Sequence, residues 1–296
     1  MEAGTNTIRG FRDKWTHNNR LAWDETLREG SDIQQWILNR NGFSSLADLR
    51  AHLDRRRRIL DAGCGNGRVT QLLRIASDPA RTEVVGIDVA AADVAEANLR
   101  ESPNVKIYAR DLLAGLDGLG TFDFIYCQEV LHHTSDPRAA FHNLAGILAP
   151  VGELAVYVYK KKAPVREFVD DYVRDRIKDL PYEDAMRVCS RITDLGRALS
   201  ELQASITVPD LELLGIPAGE YDVQRFFYHF FMKAFWNPAL SFADNAAINY
   251  DWYFPELSSR HTMDEVTGWF DEARLQIIHR FEDFYGITVR GIRSAD

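Results

Sequence analysis

The sequence predicts an α/β fold in which helices cover both faces of a mostly parallel sheet. Five short apolar runs follow residue 57, and segments with helical spacing separate most of them. The runs are apolar throughout rather than alternating, which indicates strands that are buried on both faces. Three glycines in a five-residue turn follow the first run, and glycine is favoured where a backbone bends sharply or meets a ligand. The predicted segments are helical over 1–57, a sheet core over 58–160, an inserted helical and aromatic cap over 161–258, and a C-terminal helix and strand pair over 259–296 that completes the core.

The N-terminal segment contains two predicted helices. In "SDIQQWILNRNGF", Ser31 can cap the first helix, with Gln34 at its third position and Gly42 beyond its end. In "SSLADLRAHLDRRRR", Ser45 can cap the second helix. The arginines at 55–58 follow the end of that helix, where cations complement the negative end of the helix dipole.

The core alternates strands and helices up to residue 159. The first strand, "RILDAG", passes through the glycine turn into a helix in "RVTQLLRIA". "EVVGID" and "NVKIYARD" predict the second and third strands, with a helix in "AAADVAEANLRE" between them. "FDFIYC" and "ELAVYVYK" predict the fourth and fifth strands, joined by a helix that Asp136 can cap with Pro137 in its first turn.

The alternation stops after Lys162, where helical patterns and aromatic residues become frequent. In "EYDVQRFFYHFFMKAFWNP", Arg225, His229 and Lys233 recur every fourth residue, which predicts one helix with a basic face. Two interpretations stay open: an aromatic core helix with one solvated side, or a lid helix that presents cations to an acidic ligand. The lysines at 160–162 are either part of that second arrangement or solvated charges at a strand end.

The last segment contains one predicted helix and two predicted strands. "HTMDEVTGWFDEA" begins with Thr262 as the cap and Glu265 in position to reach back to it. "LQIIHRFED" and "GITVRGIR" predict strands joined by a tight turn at Tyr285 and Gly286.

Composition and charge restrict the partners. The 296 residues carry a formal net charge of −9, which argues against nucleic acid as a general partner. No apolar run is long enough to span a bilayer, and no secretory signal is predicted. The three cysteines are widely spaced and show neither metal-ligand nor disulfide spacing. We therefore expect a cytoplasmic monomer or homodimer with no resident metal and no nucleic-acid or membrane partner.

The glycine spacing separates two kinds of nucleotide-binding turn. Gly63, Gly65 and Gly67 follow G-x-G-x-G, whereas dinucleotide-binding turns follow G-x-G-x-x-G. "ILDAGCGNGRVTQLL" resembles the first signature of class I S-adenosylmethionine-dependent methyltransferases, and the resemblance continues over 58–159 through "VVGIDVAAADVAEAN", "ARDLLAGL" and the fourth and fifth strands. One departure is Pro150-Val151-Gly152, where the family usually has Pro-Gly-Gly. The resemblance implies a doubly wound, Rossmann-like methyltransferase sheet with an antiparallel final strand.

The resemblance also implies the cofactor, S-adenosylmethionine, and its product, S-adenosylhomocysteine. Asp88 closes the second strand, where a carboxylate can accept hydrogen bonds from both ribose hydroxyls. Asp111 corresponds to the acidic residue that meets the adenine amino group, and Gln128 to a residue beside the amino-acid tail. The positions assigned to the cofactor are Asp61, Gly63, Cys64, Gly65, Asn66, Gly67, Asp88, Val89, Asp111, Leu112 and Gln128.

Three residues after the fourth strand are candidate bases. Methyl transfer from a sulfonium is an in-line displacement that needs alignment and, for some acceptors, a base. Ligands bind at the carboxyl ends of strands in open α/β sheets, so "CQEVLHHTSD" is predicted to face the cofactor. Glu129, His132 and His133 are the candidates, with packing or loop capping as the alternative role for the histidines. Catalysis by placement alone is a third interpretation.

The acceptor is expected to be a small molecule. "NYDWYFPELSSRHTMDEV" is similar to a D-W-[YF]-x-P stretch in bacterial methyltransferases of small metabolites and sugars. Arg260 and His261 precede a helix, where they either bind an anion or tie a loop down. The hypothesis is methylation of a metabolite, a sugar or a biosynthetic intermediate, anionic or aromatic, with oxygen as the favoured acceptor atom. The alternatives are an RNA or protein methyltransferase and a non-catalytic binding module. The candidate acceptor-binding residues are Tyr157, Arg225, His229, Tyr253, Arg260 and His261.

Overall fold

The computed structural model describes residues 4–295, which form two compact units. The larger unit contains Trp15–Lys160 and Ser259–Asp296 within the described range. The smaller unit contains Lys161–Ser258, which we call the cap, together with the described residues up to Lys14. Helix α1, Thr5–His17, runs across the boundary between the two units.

The larger unit is built on a seven-stranded sheet in the order β3-β2-β1-β4-β5-β9-β8. Neighbouring strands among β1 to β5 are parallel, and β9 is antiparallel to both β5 and β8. The predicted α/β class and the antiparallel final strand are confirmed. The strands are β1 Arg58–Ala62, β2 Glu83–Asp88, β3 Val105–Ala109, β4 Phe122–Gln128, β5 Leu148–Tyr159, β8 Leu275–Glu282 and β9 Gly286–Arg293.

Helices cover both faces of this sheet, and buried aliphatic and aromatic side chains fill the space between the layers. One core cluster packs α7 and α12 against the strands, and a second packs α3, α4 and α5 against them. Burying this apolar surface is the main stabilising contribution in such a fold. The helices are α2 Trp23–Leu27, α3 Asp32–Arg40, α4 Leu46–Leu53, α5 Arg68–Ile75, α6 Ala92–Leu99, α7 Pro137–Gly146 and α12 Met263–Glu272.

The predicted helix caps are confirmed. The Ser31 side chain accepts a hydrogen bond from the Gln34 amide at 3.1 Å, and Ser45 caps α4 in the same way. Asp136 caps α7 through the amide of Ala139 at 2.9 Å. At α12, Thr262 and Glu265 form the expected reciprocal capping box. These contacts span three residues each, so they depend on local sequence alone.

The fifth strand begins earlier than predicted. The pattern placed its start at Glu153, but β5 extends back to Leu148. Phe122 pairs with Leu148 and Phe124 with Glu153, so the residues between them form an irregular bulge. Val151 adopts φ +53° inside this bulge, at the position where the family usually has glycine. Valine thus adopts a left-handed backbone angle that favours glycine, so the Pro-Val-Gly departure introduces backbone strain into this bulge.

The cap contains four helices and a two-stranded antiparallel sheet. Its strands follow the long pair of helices, and its last helix carries many of the buried aromatic residues. The elements are α8 Pro164–Ile177, α9 Tyr182–Glu201, β6 Ser205–Val208, β7 Gly219–Asp222, α10 Val223–Phe230 and α11 Phe242–Tyr253.

The prediction that one helix with a basic face includes residues 225–233 is wrong, because the helix is shorter. Residues 219–222 belong to β7, and α10 ends at Phe230, so Lys233 lies outside the helix. The amide of Lys233 donates to Asp170 Oδ1 at 3.1 Å, and the amide of Phe235 donates to Asn249 Oδ1 at 3.0 Å. Side chains distant in sequence thus take the amide hydrogens that a longer helix would have used.

Within residues 4–295, no helix combines the length and the apolar character needed to cross a membrane. The same residues contain no group of three or more potential metal ligands. All three cysteines are buried and unbridged.

Candidate functional site

The glycine turn joins β1 to α5 and requires glycine for its backbone. Gly63, Gly65 and Gly67 adopt φ values of +81°, +55° and +86°. These angles lie in the left-handed region, where a side chain is strained. Gly67 is also the N-cap of α5, and its carbonyl accepts from the amide of Gln71 at 2.9 Å. The turn therefore holds a fixed shape at the carboxyl end of β1.

Protein side chains lie where the three glycines lack their own. A Cβ on Gly63 would come within 2.1 Å of Val130 Cγ2, and one on Gly65 within 2.9 Å of the Trp15 indole. A Cβ on Gly67 would come within 2.7 Å of Leu99, which lies on α6.

The sequence interpretation explained the glycines by the room they leave for a ligand. The structure adds a packing reason for each of them, since neighbouring side chains already lie close to all three. Glycine at these positions is therefore required by the protein's own packing as well as by the predicted ligand.

Asp88 lies at the end of β2 with its carboxylate directed at the glycine turn. Its Oδ2 accepts from the amide of Gly65 at 2.9 Å. Its Oδ1 accepts from the amides of Ala90 and Ala91, both at 2.8 Å. Backbone amides thus fix the orientation of this carboxylate, and a ligand at the turn would meet a preset acceptor.

The other residues of the turn have mainly structural contacts. Asp61 is buried and accepts a hydrogen bond from Thr70 Oγ1 at 2.6 Å; burial raises its pKa to about 7. Burial, with smaller contributions from Asp88 and Asp61, raises the pKa of the Cys64 thiol well above its usual range, so this thiol is not reactive. The Asn66 side chain donates to the carbonyls of Asn19 and Leu21, both at 3.2 Å. Any ligand contact by Asn66 would have to come from its backbone.

Two neighbouring strands place further predicted residues near Asp88. Val89 follows β2 and is 49% exposed, which gives this edge an apolar surface. Asp88 pairs in register with Ala109 of β3, and Asp111 follows two residues later. Asp111 Oδ1 accepts from the amide of Leu113 at 2.9 Å, while Leu112 itself is buried in the main core.

A buried arginine that the sequence interpretation missed lies over the end of β5. Arg40 is the last residue of α3 and is 2% exposed. Its guanidinium carbon lies 3.8 Å from the Trp36 ring centre and 4.4 Å from that of Tyr157. Nη1 lies 3.9 Å from Glu129 Oε1, beyond hydrogen-bond distance, and Nε and Nη1 have no hydrogen-bond partner among the described residues. A buried arginine with two unsatisfied donors indicates a missing acceptor.

The end of β4 adds unsatisfied polar atoms next to this arginine. Gln128 Nε2 donates to Asn41 Oδ1 at 3.2 Å, but Gln128 Oε1 has no partner within residues 4–295. Burial raises the pKa of the Tyr126 hydroxyl and the neighbouring Arg40 charge partly offsets this, but the hydroxyl makes no well-formed hydrogen bond to the described chain. Glu129, the next residue after β4, adopts φ +63°, a strained angle for a residue with a side chain.

The two histidines after β4 differ in their surroundings. His132 is fully buried and stacks on Tyr159 with ring centres 3.7 Å apart. Its Nδ1 accepts from the amide of Tyr159 at 3.3 Å, so the lone pair that a base would use is already engaged. His133 is half-buried, with its ring centre 4.3 Å from that of His132. This geometry favours positioning by His132 and leaves His133 as the better-placed candidate base.

The residues predicted to bind the acceptor fall into different places. His261 lies 2.9 Å from Ser259 Oγ and packs on Trp269, which fits the alternative of a tied-down loop. Arg260 is its neighbour in the same half-buried segment. Tyr157 is buried beneath Arg40.

Three of those predicted residues belong to the cap. Tyr253 is fully buried, and its hydroxyl donates to Asp170 Oδ1 at 2.8 Å, which indicates a structural role inside the cap. Arg225 and His229 lie on α10, and both are half-buried. Three of the six predicted acceptor residues thus belong to the larger unit and three to the cap, and their role in acceptor binding stays a prediction.

The residues at the carboxyl edge of the larger unit fit a nucleoside that carries an amino-acid group. Asp88 offers a fixed acceptor for hydroxyls, and Val89 offers an apolar surface for a base. Arg40 has unsatisfied donors that match a carboxylate, and Gln128 has an unsatisfied acceptor that matches an ammonium group. S-adenosylmethionine has all of these parts, so the residues present suit it.

Comparisons with known proteins agree with this geometry. A family model described as "Methyltransferase domain" matches residues 37–206, more than half of the chain. An uncharacterized methyltransferase of Mycobacterium tuberculosis is 32% identical over 101 residues, which are 34% of this chain and 50% of that protein. A ubiquinone biosynthesis O-methyltransferase of Bordetella avium is 32% identical over 100 residues, which are 32% of this chain and 40% of that protein. The matches thus span half or less of these relatives' lengths.

A solved structure shares the fold across most of the chain. The CurJ carbon methyltransferase is 12% identical with a TM-score of 0.50, over 96% of this chain and 59% of that one. At this identity the likeness concerns the fold alone. The family match covers strands β1 to β5, the glycine turn and Asp88, and the strand order of the whole sheet confirms the methyltransferase arrangement. The chain belongs to the family of class I methyltransferase domains.

Proposed function

We propose that the protein transfers a methyl group from S-adenosylmethionine to a small-molecule acceptor. The observation that carries this proposal is the Asp88 carboxylate, held by three backbone amides against a glycine turn with positive φ at all three glycines. This arrangement lies at the carboxyl end of the central strands, where open α/β sheets bind ligands.

The proposed cofactor contacts follow from the atoms that the fold leaves available. Asp88 would accept from the ribose hydroxyls, and Asp111 from the adenine amino group beside the exposed Val89. Arg40, with Nε and Nη1 unsatisfied, would hold the carboxylate of the amino-acid end. Gln128 Oε1 would accept from the ammonium group.

The chemical step needs few protein groups. When bound, the cofactor supplies an activated methyl group on a positively charged sulfur. The acceptor atom would take this methyl group while sulfur would keep the electron pair of the bond that it loses, so the protein's own residues need chiefly to align the two molecules. An acceptor hydroxyl must also lose its proton, and we assign that proton to His133 or Glu129, because the Nδ1 lone pair of His132 is engaged.

The acceptor class is inferred from charge and from relatives. A net charge of −9 disfavours RNA, and the cap provides almost a hundred residues beyond the sheet for recognising an acceptor. One relative is named a ubiquinone biosynthesis O-methyltransferase, which supports a small molecule and oxygen as the methylated atom. We therefore propose O-methylation of a metabolite, a sugar or a biosynthetic intermediate.

Calorimetric titration with S-adenosylhomocysteine tests the cofactor site. Asp88→Asn removes the charge but keeps an oxygen that can accept from Ala90 and Ala91. We expect this variant to bind at least about tenfold more weakly, since a hydrogen bond to a charged group contributes about 1.5–3 kcal/mol.

The matched control is Glu96→Gln, which removes one negative charge from the exposed face of α6. Its affinity should equal that of the wild type. Absence of binding by the wild-type chain would overturn the proposed function. Equal affinities for Asp88→Asn and Glu96→Gln would overturn the role of Asp88.

A further inference from the structure

The residue that follows β4, Glu129, has a strained backbone. Its φ of +63° lies in the left-handed region, where a residue with a side chain is disfavoured. The preceding residues from Phe124 to Gln128 are buried, whereas the Glu129 side chain is 35% exposed. Residues in strained conformations persist where the surrounding structure holds them, and they are frequent in binding sites. The strain therefore indicates that the position of this carboxylate matters for function.

The Glu129 carboxylate faces two arginines of the larger unit. Its Oε1 lies 3.9 Å from Arg40 Nη1, so the two charges attract each other without forming a hydrogen bond. Burial lowers the pKa of Arg68, the first residue of α5, and the Glu129 charge partly offsets that effect. The carboxylate is thus directed at the buried arginines, yet it leaves the donors Nε and Nη1 of Arg40 unsatisfied.

Opposite charges lie side by side at the ends of α3 and β4. Arg40 provides unsatisfied donors, and Gln128 Oε1 provides an unsatisfied neutral acceptor. Glu129 adds a negative charge close to that of Arg40. An α-amino acid carries its carboxylate and its ammonium group on one carbon atom, so such a ligand can contact Arg40 with one group and Glu129 with the other. The arrangement suits a group with both charges better than a simple anion.

We propose that Glu129 binds the ammonium group of the cofactor's amino-acid end and makes the site specific for nucleosides that carry an intact amino acid. This inference rests on the proposed function, in which Arg40 holds the cofactor's carboxylate. A carboxylate is a stronger partner for an ammonium group than the amide oxygen of Gln128, because charge-assisted hydrogen bonds are about twice as strong as neutral ones. Glu129 is therefore the main ammonium partner, and Gln128 adds a second contact.

This role for Glu129 narrows the choice of base. An ammonium group takes up carboxylate lone pairs that a base would use. The lone pair of His132 Nδ1 is engaged by the amide of Tyr159. The proton of an acceptor hydroxyl is then assigned to His133.

Calorimetry on the whole chain with three ligands tests the inference. S-adenosylhomocysteine has the complete amino-acid end, its decarboxylated form keeps only the ammonium group, and 5′-methylthioadenosine keeps the nucleoside and the sulfur without either charged group. Glu129→Gln should weaken binding of the first two ligands at least about tenfold, the effect of losing a charge-assisted hydrogen bond. Its affinity for 5′-methylthioadenosine should equal that of the wild type.

Arg40→Met distinguishes the two charged groups of the ligand. This variant should bind S-adenosylhomocysteine more weakly than the wild type does, since the carboxylate loses its partner. It should not weaken binding of the decarboxylated form, which has no carboxylate for Arg40 to hold. Weaker binding of the decarboxylated form to Arg40→Met than to Glu129→Gln would overturn the assignment of the two groups.

Glu25→Gln is the matched control. The Glu25 side chain is also 35% exposed and also pairs with an arginine, Arg28, but it lies on α2. Its three affinities should equal those of the wild type. The inference is overturned if Glu129→Gln and Glu25→Gln bind S-adenosylhomocysteine equally well. It is also overturned if Glu129→Gln weakens 5′-methylthioadenosine as much as S-adenosylhomocysteine, because a change of shape at the end of β4 would then explain the loss.

The same titrations separate this inference from the proposed function. Absence of S-adenosylhomocysteine binding by the wild type would overturn the proposed function and the inference together. Binding by the wild type with unchanged affinity for Glu129→Gln would overturn the inference alone and return Glu129 to the candidate bases.

Discussion

Buried charges have opposite surroundings at the two ends of the parallel strands, which we call the amino edge and the carboxyl edge of the sheet. At the amino edge, Glu153 is 1% exposed and lies 2.9 Å from His52 Nε2, 3.2 Å from Arg56 Nη2 and 3.3 Å from Arg290 Nε. At the carboxyl edge, Arg40 is as deeply buried, but its nearest carboxylate oxygen lies at 3.9 Å. A buried charge surrounded by countercharges is costly to remove on its own, because its partners would be left buried and unpaired, whereas a buried charge without countercharges favours a ligand.

Replacing Glu153 should have the largest effect on stability. Glu153→Gln leaves three basic groups around a neutral amide, and breaking a buried ion pair costs about 3–5 kcal/mol. Urea unfolding followed by circular dichroism measures the loss, and S-adenosylhomocysteine affinity of the folded fraction should stay unchanged.

Glu272 provides the control for that variant. It also joins an arginine and a histidine, Arg138 at 2.8 Å and His142 at 2.9 Å, but on the exposed surface. Glu272→Gln should leave the unfolding midpoint unchanged, because solvent screens exposed pairs. Equal losses for Glu153→Gln and Glu272→Gln would show that burial does not distinguish the amino edge.

Replacing Arg40 should have the opposite pattern. Arg40→Met keeps an apolar chain of similar length between Trp36 and Tyr157 and removes the unsatisfied donors. We expect the unliganded protein to be as stable as the wild type or more stable, since replacing a poorly paired buried charge is often neutral or favourable. Affinity for S-adenosylhomocysteine should fall at least about tenfold. A clear loss of stability with unchanged affinity would make Arg40 a structural residue like Glu153.

The sequence predicted the sheet well because its strands are specified locally. Apolar runs identified the five parallel strands, although the expectation of burial on both faces is wrong for β3, an edge strand that contains Lys106 and is largely accessible. The caps at Ser31, Ser45, Asp136 and Thr262 depend on residues three positions away. The length of α10 was not predictable in this way. It is limited by Asp170, which lies about sixty residues earlier and binds the amide of Lys233.

The candidate site was predicted only in part, for a related reason. Asp88 and the glycines can be recognised from their spacing in the sequence. Arg40 does not, because an arginine in the last turn of a helix is common and complements the helix dipole. Its spacing of four from Trp36 places both on one helix face, but the third partner, Tyr157, lies more than a hundred residues later. That contact exists only in the folded chain.

The pH dependence of stability should differ in sign between the two edges. Burial raises the pKa of Asp61 to about 7. The contribution of this shift to the free energy of unfolding is therefore fully present below the pKa of Asp61 in the unfolded chain, and it is lost as pH rises towards 7. The pKa of Glu153 is lowered by His52, Arg290 and Arg56 against the effect of burial. Its contribution is present above its unfolded pKa and is lost as pH falls through the lowered value.

Unfolding in urea across pH 3–8, without cofactor, measures both contributions. Asp61→Asn should remove part of the decline between about pH 4 and 7, because an amide does not titrate. Glu153→Gln should remove part of the decline at acidic pH. If Asp61→Asn gave the same pH profile as the wild type, Asp61 would not titrate in this range.

The smallest expected effect concerns the Tyr126 hydroxyl, which is buried without a hydrogen-bond partner in the described chain. Tyr126→Phe removes only that oxygen and its contact with Arg40, which is not a well-formed hydrogen bond, so the unliganded protein should change in stability by less than about 1 kcal/mol. If the hydroxyl belongs to the ligand-binding edge with Arg40, affinity for S-adenosylhomocysteine should fall by about threefold to tenfold, the effect of one neutral hydrogen bond. Tyr159→Phe is the control, a second tyrosine of the same sheet whose ring contacts His132. Unchanged affinity for Tyr126→Phe, or a stability loss well above 1 kcal/mol, would remove Tyr126 from the ligand-binding edge and restrict the contrast between the two edges to Arg40 and Gln128.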